Sequence, residues 1–135
     1  MRTLLSLDLG VTTGFAVLDV NPPEDEYGVI EHGVITLSAL EHELHRIMLN
    51  HMPRLSVAEK PLIVRGKLGD QLQSTISITE RVLYHQVQMW TPSQWKSHPL
   101  AKNPLPRGLT PHERDAIRLG FVYRARVVEN LVNDH

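Results

Sequence analysis

Residues 4–19 read LLSLDLGVTTGFAVLD: an apolar run interrupted by one acid, Asp8, then a turn of small residues, then a second apolar run. Leu4, Leu5 and Leu7 mark a strand over Thr3–Asp8, and Gly14 to Val20 marks its return, with Gly10, Thr12 and Thr13 forming the turn between them. An aspartate at the end of an apolar strand costs free energy unless it is paired or put to use. The rest of the chain decides between these.

A third strand is expected from Tyr27 to Leu37, reached through an exposed Asn21-Pro22-Pro23 turn, so that the first three strands make an antiparallel meander. Ser38-Ala39-Leu40-Glu41 has the spacing of a helix cap, and Leu40, Leu44, Ile47 and Met48 recur at helical intervals as far as His51, with Pro53 closing the helix. Leu55 to Ala58 is a short strand ending at Glu59, and Val87 to Trp90 is another ending at Thr91-Pro92. Between them, residues 69–84 carry Leu72, Ile76, Val82 and Leu83 at helical spacing, although Ser74 to Thr79 alternates like a strand. A helix is preferred because two parallel strands need a crossover. Residues 91–109 are a long loop with prolines at 92, 99, 104 and 106. Thr110-Pro111-His112-Glu113 then opens a final helix with a cap residue, proline in the first helical position and glutamate in the third. The order predicts an α/β fold: a mixed five-stranded sheet, its first three strands antiparallel and two parallel, flanked by helices.

Three acids fall at corresponding ends of these elements: Asp8 on the first strand, Glu59 on the fourth and Asp115 in the opening turns of the last helix. If the first and fourth strands are parallel neighbours, Asp8 and Glu59 meet where such sheets bind ligands. Three carboxylates in one pocket repel one another, and divalent cations would neutralise them. Oxygen donors suit Mg²⁺ or Mn²⁺, and two such ions about 3.5–4 Å apart stabilise the attacking and leaving oxygens of a phosphodiester displacement. His112 precedes Asp115 by three residues and shares its helix face, where an imidazole could bind a metal, orient a water or accept its proton. Each residue also has a local alternative. Asp8 could bind amides of the Gly10–Thr13 turn, Glu59 could simply end its strand, Asp115 could serve the helix dipole, and His112 could decorate an exposed turn. That three acids fall together at one sheet end favours the joint reading. His42 and His45 have no third ligand nearby and read as a solvated helix face.

Composition narrows the field. The 135 residues, 41% hydrophobic, predict one domain with a single sizeable core. There is no cysteine, which excludes disulfides and thiolate metal sites, and nothing approaches the ~18 apolar residues of a spanning helix. The expectation is a soluble cytoplasmic protein without a membrane role. Residues 1–59 hold three Lys or Arg against nine Asp or Glu, a balance of −6, whereas residues 60–135 hold eleven against six, a balance of +5. A basic second half suits a polyanion if its side chains converge, and otherwise is an unevenly charged solvated surface.

The segments LSLDLGVTTGFAVLD, VAEKPLI, TPSQWK and HERDAIRLG, in that order, resemble the RuvC-type Holliday junction resolvases of the ribonuclease H-like superfamily, in a short, phage-like form. The resemblance spans nearly the whole chain and implies a homodimeric endonuclease of a bacterial cell or phage-infected host, cutting four-way DNA junctions with paired nicks. It lays the family's acidic tetrad on Asp8, Glu59, His112 and Asp115, with Asp8 bridging two Mg²⁺ ions, Glu59 holding one and Asp115 the other, and Mn²⁺ as a substitute. The aromatic wedge that family members carry after the fourth strand has no counterpart in Lys60-Pro61-Leu62-Ile63, which leaves Leu62 or Ile63 to insert at the crossover. Lys60, Arg65, Lys67, Lys96, Lys102, Arg107, Arg114 and Arg118 are the implied phosphate contacts, and Gly66 and Gly69 would let the backbone approach DNA. Two related readings are a noncatalytic module for branched DNA and a YqgF-like nuclease acting on RNA. The sugar kinase and actin group also opens with an Asp-Leu-Gly turn but needs a far longer, duplicated chain.

Overall fold

The computed structural model describes residues 2–23, 27–60 and 69–133. The strands are β1 (Thr3–Asp8), β2 (Thr12–Asp19), β3 (Val29–Thr36), β4 (Leu55–Glu59) and β5 (Val87–Trp90), and the helices are α1 (Leu40–His51), α2 (Asp70–Val82) and α3 (Pro111–Asn133). They form one five-stranded sheet in the order β3-β2-β1-β4-β5. β1 pairs antiparallel with β2 and β2 with β3, whereas β1–β4 and β4–β5 are parallel. This is the mixed sheet that the element order predicts, in the ribonuclease H-like topology that the resemblance implies.

Period-2 alternation along β1 explains the layering. Leu4 and Leu18 pack with Val57 against Ala116, Leu119 and Val122 of α3, while Leu5 and Leu7 face the opposite side and pack with Leu40, Leu44 and Ile47 of α1 and Val82 of α2. α3 lies close on β1 and β2 because Gly120 has no side chain: a Cβ there would come within 2.9 Å of Leu18 on β2 and 3.3 Å of Ser6 on β1. The Ser6 hydroxyl adds a buried 2.6 Å bond to the Ala116 carbonyl. Among the described residues, no helix is long and apolar enough to cross a membrane.

Several boundaries differ from expectation for local reasons. β2 begins at Thr12 rather than Gly14, since Thr12 and Thr13 already pair with Thr36 and Ile35, and it ends at Asp19, beyond which the Val20 amide bonds to the Arg2 carbonyl. β3 is shorter than Tyr27–Leu37: the Tyr27 ring leaves the strand to stack on Phe121, and Leu37 opens a 3-10 turn through Ala39. That turn displaces the expected Ser38 cap, so α1 starts after Ala39 without a side-chain cap, and Ser38 instead bonds to Thr36. Residues 69–84 are helical over Asp70–Val82, and left-handed Tyr84 and His85 come after its end. The strand-like alternation there is resolved by two buried threonines. Thr75 donates to the Gln71 and Gly10 carbonyls, and Thr79 to the Thr75 carbonyl, so both satisfy their hydroxyls inside the core. The long proline-rich loop contains 3-10 turns at Pro92–Gln94 and Pro99–Lys102 and buries Trp95 to 1% exposure beneath α3. α3 starts as expected: Glu113 accepts from the Thr110 amide (3.2 Å) and the Thr110 hydroxyl accepts from the Glu113 amide (3.2 Å).

Candidate active site

Asp8 and Glu59 end neighbouring parallel strands in register. Both lie on the sheet face that Leu4 and Val57 turn toward α3, because alternation puts residues 4, 6 and 8 of β1, and 55, 57 and 59 of β4, on one side. α3 starts at this end of the sheet and carries Asp115 over the same spot, so that ligand oxygens of Asp8, Glu59 and Asp115 all lie within 4.8 Å of one another. The approach depends on Gly14, which pairs with Asp8 across the β1–β2 ladder. A Cβ on Gly14 would overlap the His112 carbonyl.

The side chains of Asp8 and Glu59 are only 15% and 10% exposed. Burial pushes the Asp8 carboxyl above its ordinary range, against the pull of a hydrogen bond from His112, and the charge of Asp115 pushes the same way. Burial also raises the Glu59 carboxyl, Lys96 opposes it, and the charges of Asp8 and Asp115 reinforce it. Burial first, and repulsion between the acids after it, disfavour the ionised cluster, and a bound divalent cation would offset both. The donor set fits such an ion: three carboxylates supply hard oxygen ligands suited to Mg²⁺ or Mn²⁺.

Two cationic or potentially cationic groups border the acids. His112 Nδ1 lies 3.0 Å from Asp8 Oδ2. With Asp8 ionised and the imidazole neutral, Nδ1–H donates to Asp8 and the Nε2 lone pair is left over. His112 thus joins the site through Asp8 and is not one of the three side chains whose ligand atoms cluster. Lys96, on the turn after β5, holds Nζ 3.7 Å from Glu59 Oε1 and 5.6 Å from the centre of the Trp95 ring.

The other expected contacts scatter. Lys60 is exposed directly after Glu59, its amide bonded to the Trp90 carbonyl (2.8 Å). Lys102 and Arg107 are exposed on the loop that crosses α3. Arg114 donates from Nε to the Leu109 carbonyl (3.4 Å), and Arg118 spends two donors on the Asn103 carbonyl, tying the loop to α3. Leu62, Ile63, Arg65, Gly66 and Lys67 lie outside the described residues, whereas Gly69 precedes α2 as its cap. Three supporting residues are given no role by the sequence reading: Gly14, Thr75, whose hydroxyl holds the Gly10 carbonyl of the turn after Asp8, and the buried Trp95 beneath Lys96. Of these, Gly14 could be reached from sequence by counting the register of the first hairpin back from Asp8.

Neither a protein-family model nor any curated protein matches the chain. Solved structures do. RuvC from Thermus thermophilus superposes with a TM-score of 0.74 at 14% identity, covering 94% of this chain and 97% of that one. The same protein in complex with a Holliday junction substrate gives 0.74 at 11% identity, covering 94% and 96%. Fowlpox virus resolvase, crystallised with Holliday junction DNA, gives 0.55 at 13% identity over 91% of this chain and 99% of that one. At such identities the likeness is one of fold: the chain is built as the Holliday junction resolvases are, with an acidic triad able to hold a metal ion at the end of its sheet.

Proposed function

We propose that this protein is a structure-specific endonuclease that cleaves four-way DNA junctions by phosphodiester hydrolysis, working as a homodimer whose two sites make paired nicks. The observation that carries this reading is the convergence of Asp8, Glu59 and Asp115 within 4.8 Å at the end of the sheet, in a resolvase fold. Two Mg²⁺ ions, with Mn²⁺ as a substitute, would supply Lewis-acid stabilisation of the charge that develops on the phosphate. Asp8, Glu59 and Asp115 would hold the ions through their carboxylates. His112 orients Asp8 through Nδ1, and Nε2 serves the site as ligand, water-orienter or proton acceptor, roles that a carboxylate at this position can also fill. Lys96 neutralises charge beside Glu59 and contacts a phosphate; Lys60, Lys102, Arg107, Arg65 and Lys67 are further phosphate contacts, and Arg114 and Arg118 join them while bracing the loop before α3 through the Leu109 and Asn103 carbonyls. Leu62 or Ile63 serves as the apolar wedge at the crossover.

One observation favours a second reading, a noncatalytic module that recognises branched DNA: Asp8 and Glu59 already have His112 and Lys96 beside them, which satisfies part of their charge within the chain. One experiment separates the two. Labelled four-way junction DNA and structured RNA are incubated with the protein and Mg²⁺ or Mn²⁺, in parallel with Asp8→Asn. Paired nicks in the junction by the wild type, with binding but no cutting by the variant, support the resolvase. Binding without cutting by both proteins supports the module, and preferential cutting of RNA redirects the reading to a YqgF-like nuclease.

A further inference from the structure

α3 brings both His112 and Asp115 to the acid cluster, so the seat of its first turn sets where those two side chains stand. The Thr110–Glu113 cap fixes the shape of that turn, not its place on the sheet. Gly14 lets the His112 backbone lie against β2 but supplies no side-chain bond to hold it there. The second oxygen of Glu113 does supply one: Oε2 is 2.6 Å from Nδ1 of His32, a residue of edge strand β3 that is 81 positions away. A single carboxylate thus closes the helix cap with Oε1 and ties the helix to the sheet edge with Oε2. Burial raises the Glu113 carboxyl, but hydrogen bonds from His32 and Thr110 outweigh it and hold the group below its ordinary value. With Glu113 as a carboxylate, the 2.6 Å contact is a hydrogen bond that Nδ1–H of His32 donates to Oε2.

We propose that His32 is a positioning residue: acting through Glu113, it holds the first turn of α3 against β3 and so keeps Asp115 and His112 in register with Asp8 and Glu59. The inference rests on the reading of the acid cluster as a divalent-cation site. The His32 side chain is 42% exposed, and a pair at that exposure adds little to global stability. Its loss therefore acts on the site rather than on the fold. The role resembles that of the groups behind metal ligands, which fix ligand orientation without touching the ion.

The test compares His32→Ala with His32→Asn, since the asparagine amide stands where Nδ1 stood and can still donate to Glu113. Mn²⁺ binding is measured by the loss of the free-ion electron paramagnetic resonance signal, without DNA, and backbone amide exchange over residues 112–115 is measured in metal-free protein. His32→Ala is expected to weaken Mn²⁺ binding about tenfold and to speed exchange in that turn, with melting temperature nearly unchanged. His32→Asn is expected to recover both. Wild-type Mn²⁺ affinity in His32→Ala, or no recovery in His32→Asn, overturns the proposal. Should the wild type bind no Mn²⁺, the cation reading of the cluster falls, and amide exchange alone decides on His32: faster exchange in the alanine variant restored by asparagine upholds the tether, and unchanged exchange rejects it.

Discussion

Gly14 stands opposite Asp8 in the β1–β2 ladder, and the backbone of His112 occupies the space a side chain at Gly14 would fill. The acid on one strand and the helix that completes its site are thus brought together by an absent methyl group. Gly14→Ala forces α3 to lift or β2 to shift. We expect a stability loss of about 1–3 kcal/mol, typical of overpacking, with cleavage reduced at least tenfold at a temperature where the variant is folded. Thermal melts paired with junction cleavage check this; full activity in a stable Gly14→Ala protein would mean that the close approach is not needed.

The raised carboxyls of Asp8 and Glu59 bear on stability against pH. A carboxyl whose folded value lies above its unfolded one binds its proton more tightly in the folded chain. Its stabilising contribution is complete below the unfolded values near 3.8 and 4.5 and is lost as pH rises through the raised folded values. As pH rises through the raised values the metal-free protein takes on this penalty, so at pH 7 Asp8→Asn or Glu59→Gln should be more stable than wild type by about 0.5–2 kcal/mol, an advantage that fades as pH falls back through the ordinary carboxylate range. Denaturant melts of metal-free wild type and variants across pH 3–8 measure it. Variants less stable than wild type at pH 7 would show that the acids are structurally required.

A cation that relieves this repulsion binds the folded state alone. Saturating Mg²⁺ or Mn²⁺, at about 100 times its dissociation constant, should stabilise the wild type by about 2.7 kcal/mol and leave Asp8→Asn, Glu59→Gln and Asp115→Asn nearly unmoved, while each variant loses cleavage and retains junction binding. Chelation with EDTA should reverse the gain. An equal thermal shift in wild type and Asp8→Asn would place the ion elsewhere.

His112 binds Asp8 through Nδ1 rather than joining the cluster of ligand oxygens. His112→Asp replaces an imidazole with a fourth hard carboxylate, and we expect retained cleavage with the Mg²⁺ to Mn²⁺ activity ratio moved toward Mg²⁺. Comparing initial rates in the two metals tests this; complete loss in both would make the imidazole itself indispensable.

Lys96 lies within 3.7 Å of Glu59 and is half exposed, so its amine can serve a phosphate at the site. Lys96→Gln should weaken junction binding across sequences and reduce the slope of log affinity against log salt by about one. An unchanged slope would confine Lys96 to the electrostatics of the acid cluster.

Much of the architecture was legible in the chain because its signals are local. Alternation in residues 4–19 marks the first hairpin, Thr110-Pro111-His112-Glu113 marks the start of α3, and the order of elements marks the mixed sheet, whereas the β1–β4 pairing that puts Asp8 beside Glu59 is a condition of the sequence reading that the structure meets. What stayed hidden depends on partners far apart in sequence. Thr75 meets the Gly10 carbonyl across 65 positions and His32 meets Glu113 across 81, and no periodicity announces either. The two buried threonines of α2 blurred its pattern for the same reason: their hydroxyls are satisfied by carbonyls, so polar residues occupy the face where helical periodicity expects apolar ones. The Ser38 cap failed because a 3-10 turn after β3 took over its residues.

The account turns on whether Asp8, Glu59 and Asp115 hold divalent cations together. The most direct measurement is anomalous diffraction from crystals soaked in Mn²⁺: the account predicts manganese peaks bounded by these three carboxylates, and manganese bound away from them, or none at saturating concentration, would contradict it.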